Sequence, residues 1–362
     1  VRQRVDELRR LHRPHHVRVA DAQRVDRRGG VVEVADRGVV LDLAEPMIVD
    51  QGGFDDQSFN QSGKEGLDKA KSELGVKEIA VESQSAADYP TNVDSLVQQG
   101  CNLIIGVGFN LAEDMTKAAK ANPDIEFALI DSSFTEDGLK NARPLIFKTS
   151  EAAYLAGYAA AGTSRSGKVA TYGGQAIPTV QIFMDGFAQG VAKYNEDKGK
   201  DVQVLGWDSK NPDAGSFVGD FSNTTKGQQL TEQFLSQGAD IILPVAGPVG
   251  LGTLSSVKAA GGDNGVVWVD ADGYKSTSDG SIIMTSIVKE IGTAVYDTVD
   301  QAQQGKFSAD PYVGTLKNGG VGLADYHDWS SKVPSDVQTK VKDLRQQIID
   351  GKLKVSTSYD PS

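Results

Sequence analysis

"MIVDQGGFDDQSFNQSGKEGL" occupies residues 47–67. A short apolar run ends in Asp50, a turn follows with Asp55, Asp56, two glycines and two phenylalanines, and the chain passes straight into an amphipathic stretch over 58–74. That order reads as a strand, an acidic turn and a helix. Carboxylates at a strand end can hold a metal, a phosphate-bound cation or a sugar, and each choice makes a different protein.

The same unit recurs along the chain. Apolar runs of strand length follow at 78–82, 102–107, 126–130, 144–148, 168–172, 202–207, 240–245, 265–269 and 281–287. Their unbroken apolar character suits strands covered on both faces. Amphipathic stretches separate them at 91–99, 110–121, 150–162, 178–196, 224–237, 249–260 and 288–305, and a last one covers 334–350. Strands alternating with helices predict an α/β fold of parallel sheets with right-handed crossovers. Ten strands are many for one open sheet, and the alternation breaks at 126–148 and 265–287, where two strand runs follow each other without a helix. These breaks are read as crossings between two lobes, with a third near 312–325. Lobe one is then 47–148 plus about 284–312, and lobe two 149–283 plus about 313–356, with a hinged cleft between them.

Residues 1–46 differ from this body. They hold 10 arginines, 3 of the 4 histidines and no lysine, and carry 10 basic against 8 acidic residues. Residues 47–362 hold 3 arginines and 24 lysines, with 27 basic against 41 acidic residues. The opening has no apolar core of the kind a secretion signal needs. It is expected to be disordered or non-native, and a partner-binding basic arm is a weaker alternative. Translation of a GC-rich segment in the wrong frame would account for the Arg/Val/Asp/Gly bias without lysine. A signal peptide in another frame at the 5′ end of the coding region is the corresponding expectation.

The net charge of −12 argues against nucleic acid or an anionic membrane surface as partner. Cys101, the single cysteine, leaves no internal disulfide or multi-cysteine zinc site. No stretch approaches the roughly 18 apolar residues of a membrane span.

Three strand runs end in aspartate: Asp50, Asp131 and Asp270. Capping the next helix is the usual task of such a residue, but three converging on one cleft exceed what capping needs. A calcium-dependent nucleoside hydrolase would use a D-x-D-x-x-x-D-D motif, and here Ile48 stands where its first aspartate belongs. The remaining histidine, His327, is read as a surface residue. A phosphate site would need a P-loop; "AGPVGLG" (246–252) lacks the Lys-Ser/Thr pair. An uncharged polyol joined to a flat ring fits better. Carboxylates accept strong hydrogen bonds from adjacent hydroxyls, and Phe59, Phe217 and Phe221 follow strand ends where a ring needs a cover.

Residues 50–67 resemble the opening motif of the basic membrane protein family, nucleoside-binding lipoproteins of bacterial ABC importers. The resemblance continues through "LIIGVGF" (103–109), "FALID" (127–131), "EAAYLAGYAA" (151–160), "KVATYGG" (168–174), "GDFSNTTKGQQ" (219–229), "AGPVGLG" (246–252) and "TSIVKEIGTAVYD" (285–297). It implies a two-lobed, type I periplasmic-binding-protein fold and capture without chemistry, so no catalytic residue, cofactor or metal is expected. It further implies that Asp50 and Asn60 read the edge of a purine, with Ser58 nearby. Phe59 and Phe221 would stack on the two faces of the base, Phe217 being the second choice for Phe221. Asp131, Gly247, Asp270 and Lys289 would hold the ribose, with Asp272 a rival for the place of Asp270. The implied partners are a nucleoside and an ABC permease, and the protein is expected to be a monomer. Members are extracytoplasmic lipoproteins; the chain as given shows neither signal peptide nor lipidated cysteine, since Cys101 begins a buried strand. A binding protein for another small neutral ligand, such as a sugar, or a nucleoside hydrolase are the competing expectations.

Overall fold

Six strands of each of two sheets carry the structure, a computed structural model that describes residues 44–50 and 52–361. The strands are β1 (Ala44–Val49), β2 (Lys77–Glu82), β3 (Leu103–Val107), β4 (Glu126–Ile130), β5 (Ala142–Phe147), β6 (Lys168–Gly173), β7 (Gln203–Leu205), β8 (Ile241–Val245), β9 (Gly265–Asp270), β10 (Ile283–Lys289), β11 (Tyr312–Gly314) and β12 (Val321–Leu323). The helices are α1 (Phe59–Leu74), α2 (Tyr89–Gln98), α3 (Ala112–Ala121), α4 (Ser150–Thr163), α5 (Pro178–Lys198), α6 (Thr224–Ser236), α7 (Gly250–Ala260), α8 (Gly273–Ser276), α9 (Ile291–Gln303) and α10 (Ser335–Ile349). Sheet one has the order β11-β5-β4-β3-β1-β2 and sheet two β12-β10-β9-β8-β6-β7. All pairings are parallel except β10 with β12. Central strands β3 and β8 are buried along their whole length, as strands with helices on both faces must be.

Two expectations are corrected. The breaks at 126–148 and 265–287 are not crossings: β4 pairs with β5 in sheet one, and β9 pairs with β10 in sheet two. A parallel return needs about a dozen residues but not a long helix, and the four-residue α8 serves between β9 and β10. The chain changes lobes after β5 and after β10, so the strand at 142–147 lies in lobe one, within the 47–148 range given for it, while 284–289 lies in lobe two and not in lobe one. A last crossing joins β11 to β12. The three crossings are stitched together: Lys148 N donates to Gly314 O at 2.7 Å, and Glu290 N donates to Gly320 O at 2.9 Å. Three adjacent strands make a hinge whose torsions can change without unpacking either sheet.

The second correction concerns the boundary at residue 46. Residues 1–43 lie outside those described, but β1 begins at Ala44 and pairs with β2 from there. Pro46 is tolerated because β3 joins β1 only from Met47 onward, so the missing amide costs no bond on that side. Glu45 is less comfortable. It is fully buried, and neither carboxylate oxygen has a hydrogen-bond partner among the described residues. Burial, with a smaller push from Glu126, raises its pKa to about 8.

Candidate functional site

In open α/β sheets the ligand crevice lies beyond the carboxyl ends of the strands, and the side chains at those ends face one another here. Backbone conformation sets two of them. Asp131, after β4, and Asp270, closing β9, both adopt left-handed torsions, with φ of 62° and 67°. Few side chains accept this region, and aspartate is one that does. The kink turns each carboxylate away from its own sheet and into the gap between lobes.

Lys289, the last residue of β10, reaches the same point. Its ammonium bonds the Asp131 carboxylate of lobe one and lies 3.3 Å from Asp270 Oδ1 of lobe two. All three side chains are buried. Burial alone opposes the ammonium, but the two carboxylates outweigh it and hold the pKa of Lys289 above its ordinary value. The ammonium also faces two rings, 4.7 Å from the centroid of Phe183 and 5.2 Å from that of Phe59.

The loop between β1 and α1 closes over this centre from lobe one. Asp56 acts as the helix cap: its carboxylate accepts from the amides of Ser58 (3.0 Å), Asn60 (2.8 Å) and Gln61 (3.0 Å). Burial pushes its pKa up to about 6 despite those three donors. The capped loop meets lobe two directly. Ser58 Oγ lies 3.0 Å from Val269 O and 3.1 Å from Asp270 Oδ2, while Gln57 O accepts from Trp268 Nε1 (3.1 Å) and Ser276 Oγ (2.8 Å). The lobes are therefore closed on each other.

Between them lies a cavity of about 540 Å³, counted out to its mouth. Of the residues singled out by sequence, Asp50, Phe59, Asn60, Asp131, Phe221, Gly247, Asp270 and Lys289 line it. Ser58 lies behind the wall, bonded as described. The two second choices fall elsewhere. Phe217 packs edge-on to Trp207, ring centroids 6.3 Å apart, and Asp272 bonds His327 (3.0 Å) and Lys275 (2.9 Å). His327, read from sequence as a surface residue, is half-buried and stacked 4.1 Å from the Tyr274 ring.

Two glycines admit these side chains. A Cβ on Gly108 would stand 2.2 Å from Asp50 Oδ2, and its φ of 109° is itself a glycine conformation. A Cβ on Gly174 would stand 2.4 Å from the Phe221 ring.

Residues 44–358 match the family described as Bmp, ABC transporter substrate-binding protein PnrA-like. The chain belongs to this family. Among curated relatives it is 33% identical to the ABC transporter nucleoside-binding protein BmpA of Lactococcus lactis subsp. cremoris, over 88% of this chain and 90% of that protein. It is 32% identical to the CD4+ T-cell-stimulating antigen of Listeria monocytogenes, over 87% and 88% of the two chains. Among solved structures, an ABC transporter solute-binding protein from Aeropyrum pernix K1 superposes with a TM-score of 0.79 at 27% identity, covering 88% of this chain and 94% of that one. The PnrA-like chain is thus an ABC transporter substrate-binding protein of two-lobed α/β fold, and not an enzyme. Among the described residues no helix is long and apolar enough to cross a membrane.

Several lining residues of this PnrA-like site were not found by sequence: Asp56, Phe109, Thr179, Val180 and Phe183 among them. Phe109 follows β3 directly, so its place after a strand end was a usable signal. Asp56 stood in the opening motif but was set aside with the metal reading. Thr179, Val180 and Phe183 lie in the first turns of α5, where amphipathic periodicity cannot tell a core position from a cavity wall.

Proposed function

We propose that the protein captures a purine nucleoside between its lobes and delivers it, outside the cytoplasm, to a membrane permease. The arrangement that carries this reading is one cavity lined by Phe59 of lobe one, Phe221 of lobe two and the Asp131–Lys289–Asp270 cluster. The rings offer apolar faces to a base, and stacking of a base on an aromatic ring is worth about 1–3 kcal/mol. The carboxylates and the ammonium offer acceptors and donors to a vicinal diol. Asp50 and Asn60 then read the edge of the base. A phosphate is disfavoured by the acidic wall, and a bare sugar would leave the rings without a flat partner. The nucleoside-binding BmpA relative supports the same choice.

Capture follows from the hinge. Ligand placed between the lobes gains the contacts of both only when they close, so it shifts the population toward the closed form. No bond is made or broken.

Mass spectrometry of small molecules released on denaturation, followed by calorimetric titration of the emptied protein, tests the reading. A purine nucleoside should be released intact, and its 2′-deoxy form should bind about tenfold more weakly, because a buried acceptor left unpaired costs about 1–3 kcal/mol. A free sugar, or a cleaved base, would overturn it. Gly174→Ala tests the stacking wall. The added methyl collides with Phe221, so nucleoside affinity should fall about tenfold while the melting temperature holds, since one stacked ring is at stake. Unchanged affinity would remove Phe221 from the site.

A further inference from the structure

A second chamber adjoins the cavity, and Phe109, Asp131 and Thr179 line both. It measures about 620 Å³ counted out to its mouth, against about 540 Å³ for the main cavity. Room for part of a ligand therefore continues beside the main cavity. Like the main cavity, the chamber lies between lobes. Ile146 and Phe147 come from β5 and Ser132 from the loop after β4, all in lobe one, while Ile182 and Tyr359 come from lobe two.

The C-terminal segment forms the outer wall and is built in place. Ser150 Oγ donates to Asp360 Oδ1 at 2.6 Å, Gln189 Nε2 donates to Ser356 O at 3.0 Å, and the Tyr359 ring packs edge-on to Trp207 at 6.1 Å. At the junction stands Phe109, 39% exposed and one of two large apolar side chains left exposed among the described residues. An uncovered ring facing two connected chambers calls for an apolar cover.

Charge narrows what can enter. The titratable side chains lining the chamber are Asp131, Asp360 and the phenol of Tyr359. Lys148 approaches Asp360 only to 4.0 Å and is shared with Glu151 at 3.6 Å. An anion would meet carboxylates with no free cation, whereas a neutral group with apolar surface would meet Phe109, Ile146, Phe147 and Ile182.

Resting on the nucleoside reading above, we infer that this chamber is a subsite for an uncharged, partly apolar substituent on the sugar of the ligand. The carboxylates take the vicinal hydroxyls, which leaves C5′ as the free arm, and Asp131 marks the boundary between sugar and chamber. The protein therefore accepts nucleosides bearing neutral 5′ groups such as a thioether and refuses 5′-phosphates.

Calorimetric titration of the full chain with adenosine and guanosine, their 5′-deoxy-5′-methylthio derivatives and their 5′-monophosphates tests this. The thioether should bind within about threefold of its parent or more tightly, and the monophosphate about a hundredfold more weakly, since placing like charges together costs several kcal/mol. Ile182→Phe, which fills the chamber without touching the main cavity, should cost the thioether about tenfold and its parent less than threefold. Thermal melts check that the variant folds, and Tyr359→Trp, filling from the other wall, serves if it does not. A thioether bound about tenfold more weakly than its parent, equal losses for both ligands in the filled variants, or a tightly bound monophosphate would overturn the subsite. Failure of both parent nucleosides to bind would instead overturn the nucleoside reading, and this inference with it.

Discussion

Lys289→Met is expected to lower folding stability by about 3–5 kcal/mol, the usual loss when one partner of a buried ion pair is removed, and to abolish nucleoside binding. Methionine fills the space of the lysine stem, so the loss is electrostatic and not a cavity effect. It leaves Asp131 and Asp270, 7% and 6% exposed, as two buried carboxylates with no cation between them. Burial already holds the Asp131 carboxyl above its ordinary range, and without the ammonium it is relieved only by taking up a proton. The deficit against wild type should therefore shrink as pH falls, which urea denaturation at neutral and at mildly acidic pH will show. The counterpart Asp270→Ala leaves the Lys289–Asp131 bond in place and gives Ser58 Oγ an alternative acceptor in Val269 O at 3.0 Å. It should weaken nucleoside binding about tenfold or more, as loss of a charge-assisted hydrogen bond does, and cost about 1–2 kcal/mol of stability, because alanine accepts the left-handed torsion at this position less readily than aspartate. If Lys289→Met were as stable as wild type at neutral pH, the cluster would not be the buried ion network described. If Asp270→Ala bound nucleoside with full affinity, Asp270 would have no part in the site.

Glu45→Val should raise stability, and by more the higher the pH. The sign follows from burial. The carboxyl of Glu45 has a pKa raised from 4.5 to about 8 in the folded protein. Below the unfolded value both states carry the proton and folding pays nothing. Between the two values the folded state holds a proton that the unfolded state has released, so stability falls as pH rises, by about 1.4 kcal/mol per unit. Above the folded value the full penalty, on the order of 5 kcal/mol, is present. Valine has nearly the volume of glutamate, favours strands and removes the titration altogether. Guanidinium unfolding at pH 5, 7 and 9 should show a midpoint that falls more steeply for wild type than for the variant, whose higher curve keeps only the decline between pH 5 and 7 that Asp56 contributes. Parallel curves for the two proteins would mean that Glu45 reaches solvent in the native state.

Much of the architecture was legible in the chain because a strand covered on both faces must be apolar throughout. "NLIIGV" and "DIILPV" appear as β3 and β8 with little change of boundary. The two strand–strand breaks were legible as well, but not their meaning. Sequence shows that a helix is missing between 265–269 and 281–287; it does not show whether the second strand lies beside the first or in the other lobe. Pairing of Val288 with Asp270 places it in sheet two, and the crossing follows at Glu290. The edge strands β11 and β12, three residues each, carry too little pattern to be read as strands.

The site divides in the same way. Local chemistry was enough to mark strand-end aspartates, an acidic turn, and phenylalanines beyond strand ends that had no local partner, because each of these is a property of neighbours in the chain; that Asp56 caps the turn came only from the structure. Both Phe217 and Phe221 lie against a glycine at the end of β6, Gly173 and Gly174 respectively, and only tertiary packing puts Phe217 against Trp207 and leaves Phe221 on the cavity. That Asp270 joins the cluster while Asp272 binds His327 was settled by a left-handed torsion at the end of β9. The bond from Lys289 to Asp131 spans 158 residues of chain. Its energy depends on burial and on a separation of a few ångströms, quantities that do not exist until both lobes have folded and met.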